Sequence, residues 1–524
     1  MKKLIVPFSL IVSDINVGFH RSIKFMSIFI FFVLITVTNC YSQFLTLKNP
    51  NLKPAYEKGT PVISTDNLQK VSVPNTVIES VVVDPKGFCQ VIAVINHPPS
   101  NDRVKVWINL PLQNWNGRFC GTGGGGFAGG FPEYMGELTK QGFAVGCTNT
   151  GHDGWSGSFA LDTARQCLNW QEIRDYAYLG IHDMNVFAKS IIKVFYGHLP
   201  RYSYFIGGSN GGRQGLNEAQ RYPDDFDGIL AYFPGIHVTN ICMGGLWPQA
   251  VMVDANHFVS VKKQIAVTKA AVDACDGNDG VTDGVIDDPD NCTWDPVNFI
   301  GTKVEDDVFT EEDANVMRKI WEGPRTHEGK FLWHGLPRGA VTQDIAGEIA
   351  NYTFFEWLKY FIVMNPDWDK SNLTIKQFEL FWNQSMEQYS EVFRADNPNL
   401  EPFRSHGGKL LIIHGLADQL IPYQGSVTYY ESVLKQMGGA KSTSDFIRLF
   451  LVPGVDHSLN GAGLKPVGEF DSLVSWVEEV KAPDIIMTEK GNSRRPVFPY
   501  PYIAKYKGTG SVNNADSFIK FLPK

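Results

Sequence analysis

A serine flanked by glycines is the first residue whose surroundings suit covalent chemistry. Ser209 lies in GGSNG, residues 207–211, which fits the pattern G-x-S-x-G. The apolar run YSYFI precedes it and RQGLNEAQ follows, which predicts a strand, a sharp turn and a helix. Small residues permit a strained turn of this kind, which lifts the serine oxygen above the sheet as a nucleophile. The alternative is an ordinary glycine-rich turn with a solvated hydroxyl.

A serine hydroxyl needs a base, and the base needs an acid that orients it. Asp418 follows the predicted strand KLLIIHG, and His457 follows the last predicted core strand, in LFLVPGVDHS. Their order after Ser209 is that of an α/β-hydrolase, so we predict Asp418 as the acid and His457 as the base. The alternatives are a turn or cap residue and a surface histidine. Three weaker candidates are His414, His152 and Asp456.

Acyl transfer also needs N–H donors for the charge that develops on the carbonyl oxygen. Four glycines, residues 123–126, follow the predicted strand GRFCGT, and backbone without side chains can approach a substrate. We predict donors at Gly124 and Gly125, with the N–H of Asn210 as their partner. The alternative is a phosphate-binding loop, but the run has neither the P-loop lysine nor a G-x-G-x-x-G with its later acidic residue.

The stretch CDGNDGVTDGVIDDPDNC, residues 275–292, spaces carboxylates with glycines, so the loop can curl them around one point. Oxygen ligands suit Ca²⁺, although the spacing is not that of an EF-hand. On the pattern alone, a solvated acidic turn is an equal alternative. The candidate ligands are the side chains of Asp276, Asp279 and Asp283 and the carbonyls of Val281 and Val285. A disulfide between the flanking Cys275 and Cys292 would stabilise the loop by about 3 kcal/mol on the chain-entropy estimate.

These residues need a scaffold, and the surrounding pattern predicts its class. Short apolar strands alternate with helical segments from about residue 88 to residue 237 and again after residue 405. This alternation predicts an α/β fold with a mostly parallel sheet and helices on both faces. The part between, rich in Trp, Phe, Asp and Asn, is predicted to be an inserted lid domain over the carboxyl edge. The predicted segments are a signal segment 1–42, core 43–237, lid domain 238–405 and core 406–524.

Composition and the N-terminal segment limit the partners. The formal net charge is −8 and there is no long basic run, which argues against nucleic acid. Residues 24–43 place a lysine before an apolar run and small residues, as in a signal peptide cleaved before Gln43. The apolar run is shorter than the ~20 residues of a membrane span. We therefore predict a secreted or periplasmic protein, with a lipid anchor on Cys40 as the weaker alternative. Without Cys40 the cysteine count is odd, which implies a free thiol or an intermolecular pair.

Taken together, these segments resemble the tannase and feruloyl esterase family of α/β-hydrolases. The matching stretches run in order from Trp115 to Gly461 and include WNGRFCGTGGGGFAGG, TNTGHDG, GGSNGGRQGLNEAQRYPDDFDGI, HGLADQLIP and VDHSLNG. The resemblance implies an α/β-hydrolase core, a lid with a structural Ca²⁺, and hydrolysis of small aromatic esters such as those of ferulate or gallate. It assigns the nucleophile, acid and base to Ser209, Asp418 and His457. It assigns the calcium ligands to Asp276, Asp279, Val281, Asp283 and Val285.

The sequence departs from the family at one pair of positions. Many members have a cysteine directly before the nucleophile and another directly after the histidine, joined by a disulfide. Gly208 and Ser458 stand there in this chain. How the histidine loop is tied to the nucleophile turn is therefore open. We expect a double cysteine variant to restore the bridge, with backbone strain at Gly208 as the main obstacle.

Three functions are compatible with the sequence. The first is an esterase for phenolic-acid esters, and the second is a hydrolase of the same fold for aromatic polyester fragments or other esters. The third is an inactive calcium-bearing binding protein, which the intact Ser209, Asp418 and His457 disfavour. The lid is rich in aromatic residues, some of which would line an acyl pocket if the substrate is aromatic. The natural ester and the oligomeric state stay open.

Overall fold

The structure, a computed structural model, describes residues 47, 52–56, 59–347, 351–369, 371 and 373–523. The predicted signal segment 1–42, with the alternative anchor Cys40, lies outside these residues. Within the described ranges, no helix combines the length and the apolar character that a membrane span requires.

The described residues contain a central sheet of nine strands, built from the apolar runs that the sequence analysis selected and one earlier strand. The strands are β1 Thr76–Asp84, β2 Phe88–Ile95, β3 Val104–Pro111, β4 Arg118–Thr122, β5 Ala144–Thr148, β6 Tyr202–Gly208, β7 Gly228–Tyr232, β8 Lys409–Gly415 and β9 Ile447–Val452. Their order in space is β1-β2-β3-β5-β4-β6-β7-β8-β9. Pairing is antiparallel from β1 to β5 and parallel from β5 to β9. The α/β prediction is confirmed.

Helices cover both faces of this sheet. In chain order the α-helices are α1 Thr65–Leu68, α2 Met135–Lys140, α3 Trp170–Arg174, α4 Gly180–Tyr196, α5 Asn210–Arg221, α6 Val238–Gly244, α7 Trp247–Ala255, α8 Val261–Cys275, α9 Glu311–Glu322, α10 Tyr352–Glu356, α11 Ile375–Phe393, α12 Glu401–His406, α13 Gln424–Gln436, α14 Ala440–Thr443 and α15 Glu469–Glu479. One apolar core joins the sheet to α4, α5, α12 and α13, and a second joins it to α2 and α15. Strands with both faces buried form continuous apolar runs, which explains the pattern in the sequence.

The residues between β7 and β8 form helices α6 to α12 and one pair of two-residue strands, Lys303–Val304 and Asp307–Val308. Their aromatic side chains build a third core, which includes Trp247, Phe354, Trp357, Phe361, Phe378 and Trp382. Phe127, directly after the four glycines, also belongs to this core, and its ring stacks on that of Phe361 at 5.6 Å. This third core, that of the predicted lid, therefore holds one end of the glycine loop.

The structure differs from the sequence-based expectation at two places. The helical pattern of residues 171–196 is interrupted, because a π-helical turn, Asp175–Leu179, separates α3 from α4. Short strands also occur around α15 and after it. One strand before α15 and two after it form a three-stranded sheet, Lys465–Val467, Ile486–Lys490 and Ser493–Val497. Further along the chain, Ile503–Tyr506 pairs with Phe518–Phe521. Alternation in these strands is too short to predict them.

The predicted lid disulfide is confirmed, and the structure settles the state of the other described cysteines, which the sequence leaves open. Cys275 and Cys292 form a disulfide with a Cα–Cα distance of 5.6 Å. The other described cysteines are free thiols: Cys89, Cys120, Cys147 and Cys242 are buried, and Cys167 is exposed. Burial raises the pKa of the Cys242 thiol to about 12, so this thiol is unreactive at neutral pH.

A buried ion pair joins the start of β4 to the last core helix. Both Arg118 and Glu478 are largely buried, with side chains 3% and 13% exposed, and Arg118 Nε donates to the Glu478 carboxylate at 2.6 Å. We expect Glu478→Ala to lower the free energy of unfolding by about 3–5 kcal/mol, because the guanidinium is left buried without a counter-charge. Denaturant titration measures this change. The matched control is exposed Glu479→Ala, whose surface pair with Lys481 is worth at most about 1 kcal/mol. Equal effects of the two variants would contradict the prediction.

Candidate active site

Ser209 stands on a strained turn between β6 and α5. Its backbone has φ 59° and ψ −119°, a conformation that residues with a side chain rarely adopt. Hydrogen bonds hold it there: Ser209 N donates to the carbonyl of Tyr232 at 3.0 Å, and its own carbonyl accepts from Gly235 N at 3.0 Å and Arg213 N at 3.1 Å. The neighbouring strand β7 and helix α5 therefore fix the strained residue.

The glycines around Ser209 are needed for space. A Cβ added at Gly207 would lie 2.4 Å from the carbonyl carbon of Gly211, and one added at Gly123 would lie 2.6 Å from its Cα. A Cβ at Gly211 would in turn lie 2.8 Å from the carbonyl oxygen of Gly124. The nucleophile turn and the glycine loop thus touch through bare backbone, so a side chain at these positions would push them apart.

The donors predicted for an oxyanion are only partly free. The N–H of Gly124 donates to Gln214 Oε1 at 3.0 Å, and that of Gly125 donates to the carbonyl of Ala128 at 3.2 Å. Both predicted glycine donors are therefore already engaged within the protein. Asn210 begins α5, and the first N–H groups of a helix have no intrahelical acceptor. Of the three predicted donors, the N–H of Asn210 is the one left for a ligand.

Asp418 and His457 come together beyond the carboxyl ends of β8 and β9. His457 Nδ1 donates to Asp418 Oδ2 at 2.8 Å, and the other carboxylate oxygen accepts from the N–H groups of Leu420 and Ile421, each at 2.8 Å. The backbone of His457 donates to Gln419 Oε1 at 3.0 Å. These bonds fix both partners, and they leave Nε2 of the imidazole as the nitrogen available to a reacting group.

The environment keeps the Asp418 carboxyl ionised. Burial alone would raise its pKa, but attraction to His457 and the hydrogen bonds from His414 and His457 together hold the pKa well below its usual range. A carboxyl with a depressed pKa in the folded state stabilises the fold above its unfolded pKa of about 3.9. This contribution is lost as the pH falls further, so at neutral pH the charge is present in full.

The weaker candidates of the sequence analysis have other roles. His414 is buried; its Nδ1 contacts the Ser426 hydroxyl, and its Nε2 contacts the carbonyl of Ile421 and lies 3.3 Å from Asp418 Oδ2, so it supports the acid. His152 donates to the carbonyl of Phe127 at 2.6 Å, and burial lowers its pKa to about 4. Asp456 Oδ1 accepts from both N and Oγ of Ser458, so it caps its own loop. None of the three orients His457 through its Nδ1.

Arg213 is a site residue that the sequence analysis does not identify. Its guanidinium is fully buried, donates from Nε to Asn210 Oδ1 at 2.8 Å, and donates to the carbonyls of Tyr176 and Ala177. These two carbonyls lie in the π-helical turn, and aromatic faces of Tyr176 and Phe393 lie 5.2 and 5.8 Å away. Arg213 therefore anchors the first residue of α5. The signal in the sequence that could reveal Arg213 is a charged residue in the first turn of the helix after Ser209, where the rest of the helix start is buried.

The acidic loop of the lid lies between the cysteines of the disulfide. The carboxylate of Asp276 accepts from the N–H groups of Asp283 and Gly284, at 3.0 and 2.8 Å. Asp279 Oδ1 accepts from its own loop, and Asp283 Oδ2 pairs with Arg495 Nη2 at 2.7 Å. The three carboxylates thus share one loop, but each has a separate protein partner in this structure.

Two compact groups of ligand-type side chains occur elsewhere in the described residues, and the sequence analysis predicts neither. One contains His97, Asp102 and Asp175, and the other contains His182, Glu218 and Asp225. Hydrogen bonds with Asp183 and Asp102 raise the pKa of His97 to about 9, although burial opposes this. The imidazolium itself is therefore the cation of the first group.

Comparisons with known proteins agree on one family. Residues 89–521 match the family described as "Tannase and feruloyl esterase". A probable feruloyl esterase of Arthroderma benhamiae is 35% identical, with 89% of this chain and 92% of the relative covered. Feruloyl esterase B of Aspergillus niger is 31% identical, with 80% and 84% covered.

Solved structures give the same result. A crystal structure of feruloyl esterase B from Aspergillus oryzae has a TM-score of 0.78 at 26% identity, covering 86% of this chain and 98% of its own. An esterase from the same organism has a TM-score of 0.79 at 25% identity, covering 87% and 99%. The chain is therefore a carboxylic ester hydrolase and belongs to the tannase and feruloyl esterase family.

Proposed function

We propose that this protein is an exported serine esterase that hydrolyses esters of phenolic acids such as ferulate or gallate. In this proposal Ser209 is the nucleophile, His457 the base and Asp418 the orienting acid. The observation that carries it is the strained Ser209 turn together with the buried Asp418–His457 pair, 2.8 Å between Oδ2 and Nδ1. Phe233 contacts both Gly208 and His457, which supports placing the pair beside the turn.

The proposed reaction follows from these positions. His457 Nε2 takes the proton of Ser209 Oγ as this oxygen attacks the ester carbonyl carbon, and Asp418 stabilises the imidazolium. The N–H of Asn210 donates to the developing oxyanion, and Arg213 holds Asn210 in place. Collapse of the tetrahedral intermediate breaks the ester bond, and the leaving alcohol takes the proton from His457. Water, activated by the same histidine, then hydrolyses the acyl-enzyme and frees Ser209.

An exposed indole beside the glycine loop supports an aromatic substrate. Trp155 is 41% exposed, and a Cβ added at Gly126 would lie 3.5 Å from its ring and 3.7 Å from Thr353 Oγ1 of the lid. Its ring centroid lies 5.0 Å from that of Phe131, which holds it from one side. Flat rings stack well on such a surface. The relatives named feruloyl esterases point to the same class of acid.

We also propose a structural Ca²⁺ in the lid, held by the residues given above. Val281 and Val285 are buried, and among the described residues no donor reaches their carbonyl oxygens, which are left for a cation. Burial and the neighbouring Asp279 raise the pKa of Asp287, and burial raises that of Asp279. A cation would relieve this crowding of carboxyls. When bound, calcium would stabilise the loop by charge, with no part in the acyl transfer.

The nucleophile assignment has a direct test. Ser209→Ala should lower kcat by on the order of 10³-fold or more, because no oxygen remains to form the acyl-enzyme. The melting temperature should stay close to that of the wild type, and an active-site-directed phosphonate should label the wild type alone. The control is Ser190→Ala, whose exposed hydroxyl bonds only to its own helix at 2.9 Å. Retention of more than a small fraction of turnover by Ser209→Ala would refute the assignment.

The substrate class is tested with a panel of methyl ferulate, methyl gallate and short aliphatic esters. We expect the phenolic esters to have the higher kcat/KM. Trp155→Ala should raise KM for the preferred phenolic ester by about threefold to tenfold, which corresponds to the free energy of one aromatic contact. The KM values for the aliphatic esters should stay unchanged. Trp170→Ala is the matched control, because Trp170 is 38% exposed and its ring lies beside Tyr389, 5.8 Å between centroids. Equal kcat/KM values for all the esters would argue for a hydrolase of different specificity.

Calcium is tested by its effect on stability. Chelation should lower the melting temperature by roughly 5 °C or more, because a ligand bound only by the folded state stabilises it. Asp279→Asn should melt lower than the wild type and respond little to chelator, whereas exposed Asp306→Asn should behave like the wild type. A melting temperature that chelator leaves unchanged in the wild type would show that the loop is a solvated turn.

A further inference from the structure

Phe233 has an unusual position at the end of β7. It is buried, and its φ is +32°, in the left-handed region that an aromatic residue avoids. Its N–H donates to the carbonyl of Ile413 in β8 at 2.7 Å, which holds the backbone in this conformation. A strained residue persists only where the surrounding structure over-determines it, and such residues cluster at functional sites.

The ring of Phe233 lies between the nucleophile turn and the base. A Cβ added at Gly208 would lie 2.8 Å from its Cε2 and 3.0 Å from its Cζ. On the other side, the ring centroid is 4.5 Å from that of the His457 imidazole, with 48° between the planes. One side chain thus fills the space next to Ser209 and contacts the histidine that Asp418 orients.

We propose that Phe233 is a positioning residue, which holds His457 against the Ser209 turn by packing, in place of the disulfide that joins positions 208 and 458 in many relatives. The inference rests on the proposed function. The hydrogen bond from Nδ1 to Asp418 fixes one point of the imidazole but lets the ring tilt about that bond. A second ring packed against the imidazole at a 48° angle restricts this tilt and keeps Nε2 aimed at Ser209.

Local contacts of Ser458 agree with this assignment. Its N and Oγ donate to Asp456 Oδ1, at 2.8 and 2.7 Å, and its Oγ accepts from Asn460 Nδ2 at 2.8 Å. These bonds order the histidine loop within itself. Phe233 connects this loop to the nucleophile turn by packing, since its ring contacts both His457 and the space beside Gly208.

The structure also corrects the expected obstacle to a Gly208–Ser458 bridge. Gly208 is not among the glycines with positive φ, so backbone strain does not forbid a side chain there. The obstacle is the ring of Phe233, which occupies the space of a Cβ at position 208. The aromatic ring and a disulfide therefore compete for one place, and a chain can use one or the other.

The first experiment separates positioning from stability. Phe233→Ala should lower kcat on the best ester by about tenfold to a hundredfold, the cost of a misplaced catalytic group. KM should change by less than about threefold, because substrate binding is retained. Phe233→Leu, which keeps most of the apolar volume, should recover most of the rate. The control is Phe226→Ala, a buried phenylalanine in the sheet core, which should lower the melting temperature and leave kcat unchanged.

The second experiment replaces the packing of Phe233 with a disulfide between positions 208 and 458. Phe233→Ala combined with Gly208→Cys and Ser458→Cys should form the disulfide under oxidising conditions and recover the lost kcat, and dithiothreitol should remove the gain. The pair of cysteines with Phe233 intact should bridge poorly. The reduction control is Phe233→Ala without the new cysteines, because it retains the lid disulfide.

Several results would overturn the proposal. They are an unchanged kcat in Phe233→Ala, an equal loss in Phe226→Ala, or a triple variant that bridges without recovery or does not bridge. If Phe233→Ala fails to fold, Phe233→Leu and the triple variant decide by the same criteria. An active Ser209→Ala would instead refute the proposed function, so the two failures are distinguishable.

Discussion

Two stretches of bare backbone meet at the carboxyl edge of the sheet, and the geometry of the site depends on this contact. The N–H of Gly211 donates to the carbonyl of Gly124 at 3.0 Å, while a Cβ at Gly123 would lie only 2.6 Å from the Cα of Gly211. Because no side chain separates the two turns, Ser209 is held in its strained conformation next to the glycine loop. The strain is offset by the hydrogen bonds that Ser209 makes with β7 and α5.

The buried guanidinium of Arg213 supports this backbone contact. Arg213 pairs with no carboxylate in the part of the chain that the structure describes, so its desolvation is offset by carbonyl oxygens, by Asn210 and by aromatic faces. The π-helical turn Asp175–Leu179 presents two of these carbonyls. Gln214 acts beside it, binding Gly124 and the carbonyl of Gly129.

The lid is connected to the same loop by packing. Phe127 leaves the glycine loop and enters the aromatic core of the lid, where it contacts Phe361. The lid disulfide stiffens the acidic loop, and Arg495 reaches that loop from the C-terminal strands. The histidine loop has a different connection, because Phe233 packs between it and the nucleophile turn. A covalent bond thus holds the acidic loop, whereas apolar packing holds the glycine loop and the histidine loop.

Patterns within the chain predicted the fold class, the Cys275–Cys292 disulfide and the candidate pair Asp418 and His457. These depend on short-range patterns: strand periodicity, the residues at strand ends, and two cysteines close in the chain. Two contacts became visible only in the folded chain: the N–H of Gly124 donates to Gln214, and Phe233 packs against His457. Both contacts join segments far apart in the chain, and only the packing of the sheet brings such segments together, so no local pattern of residue types encodes them.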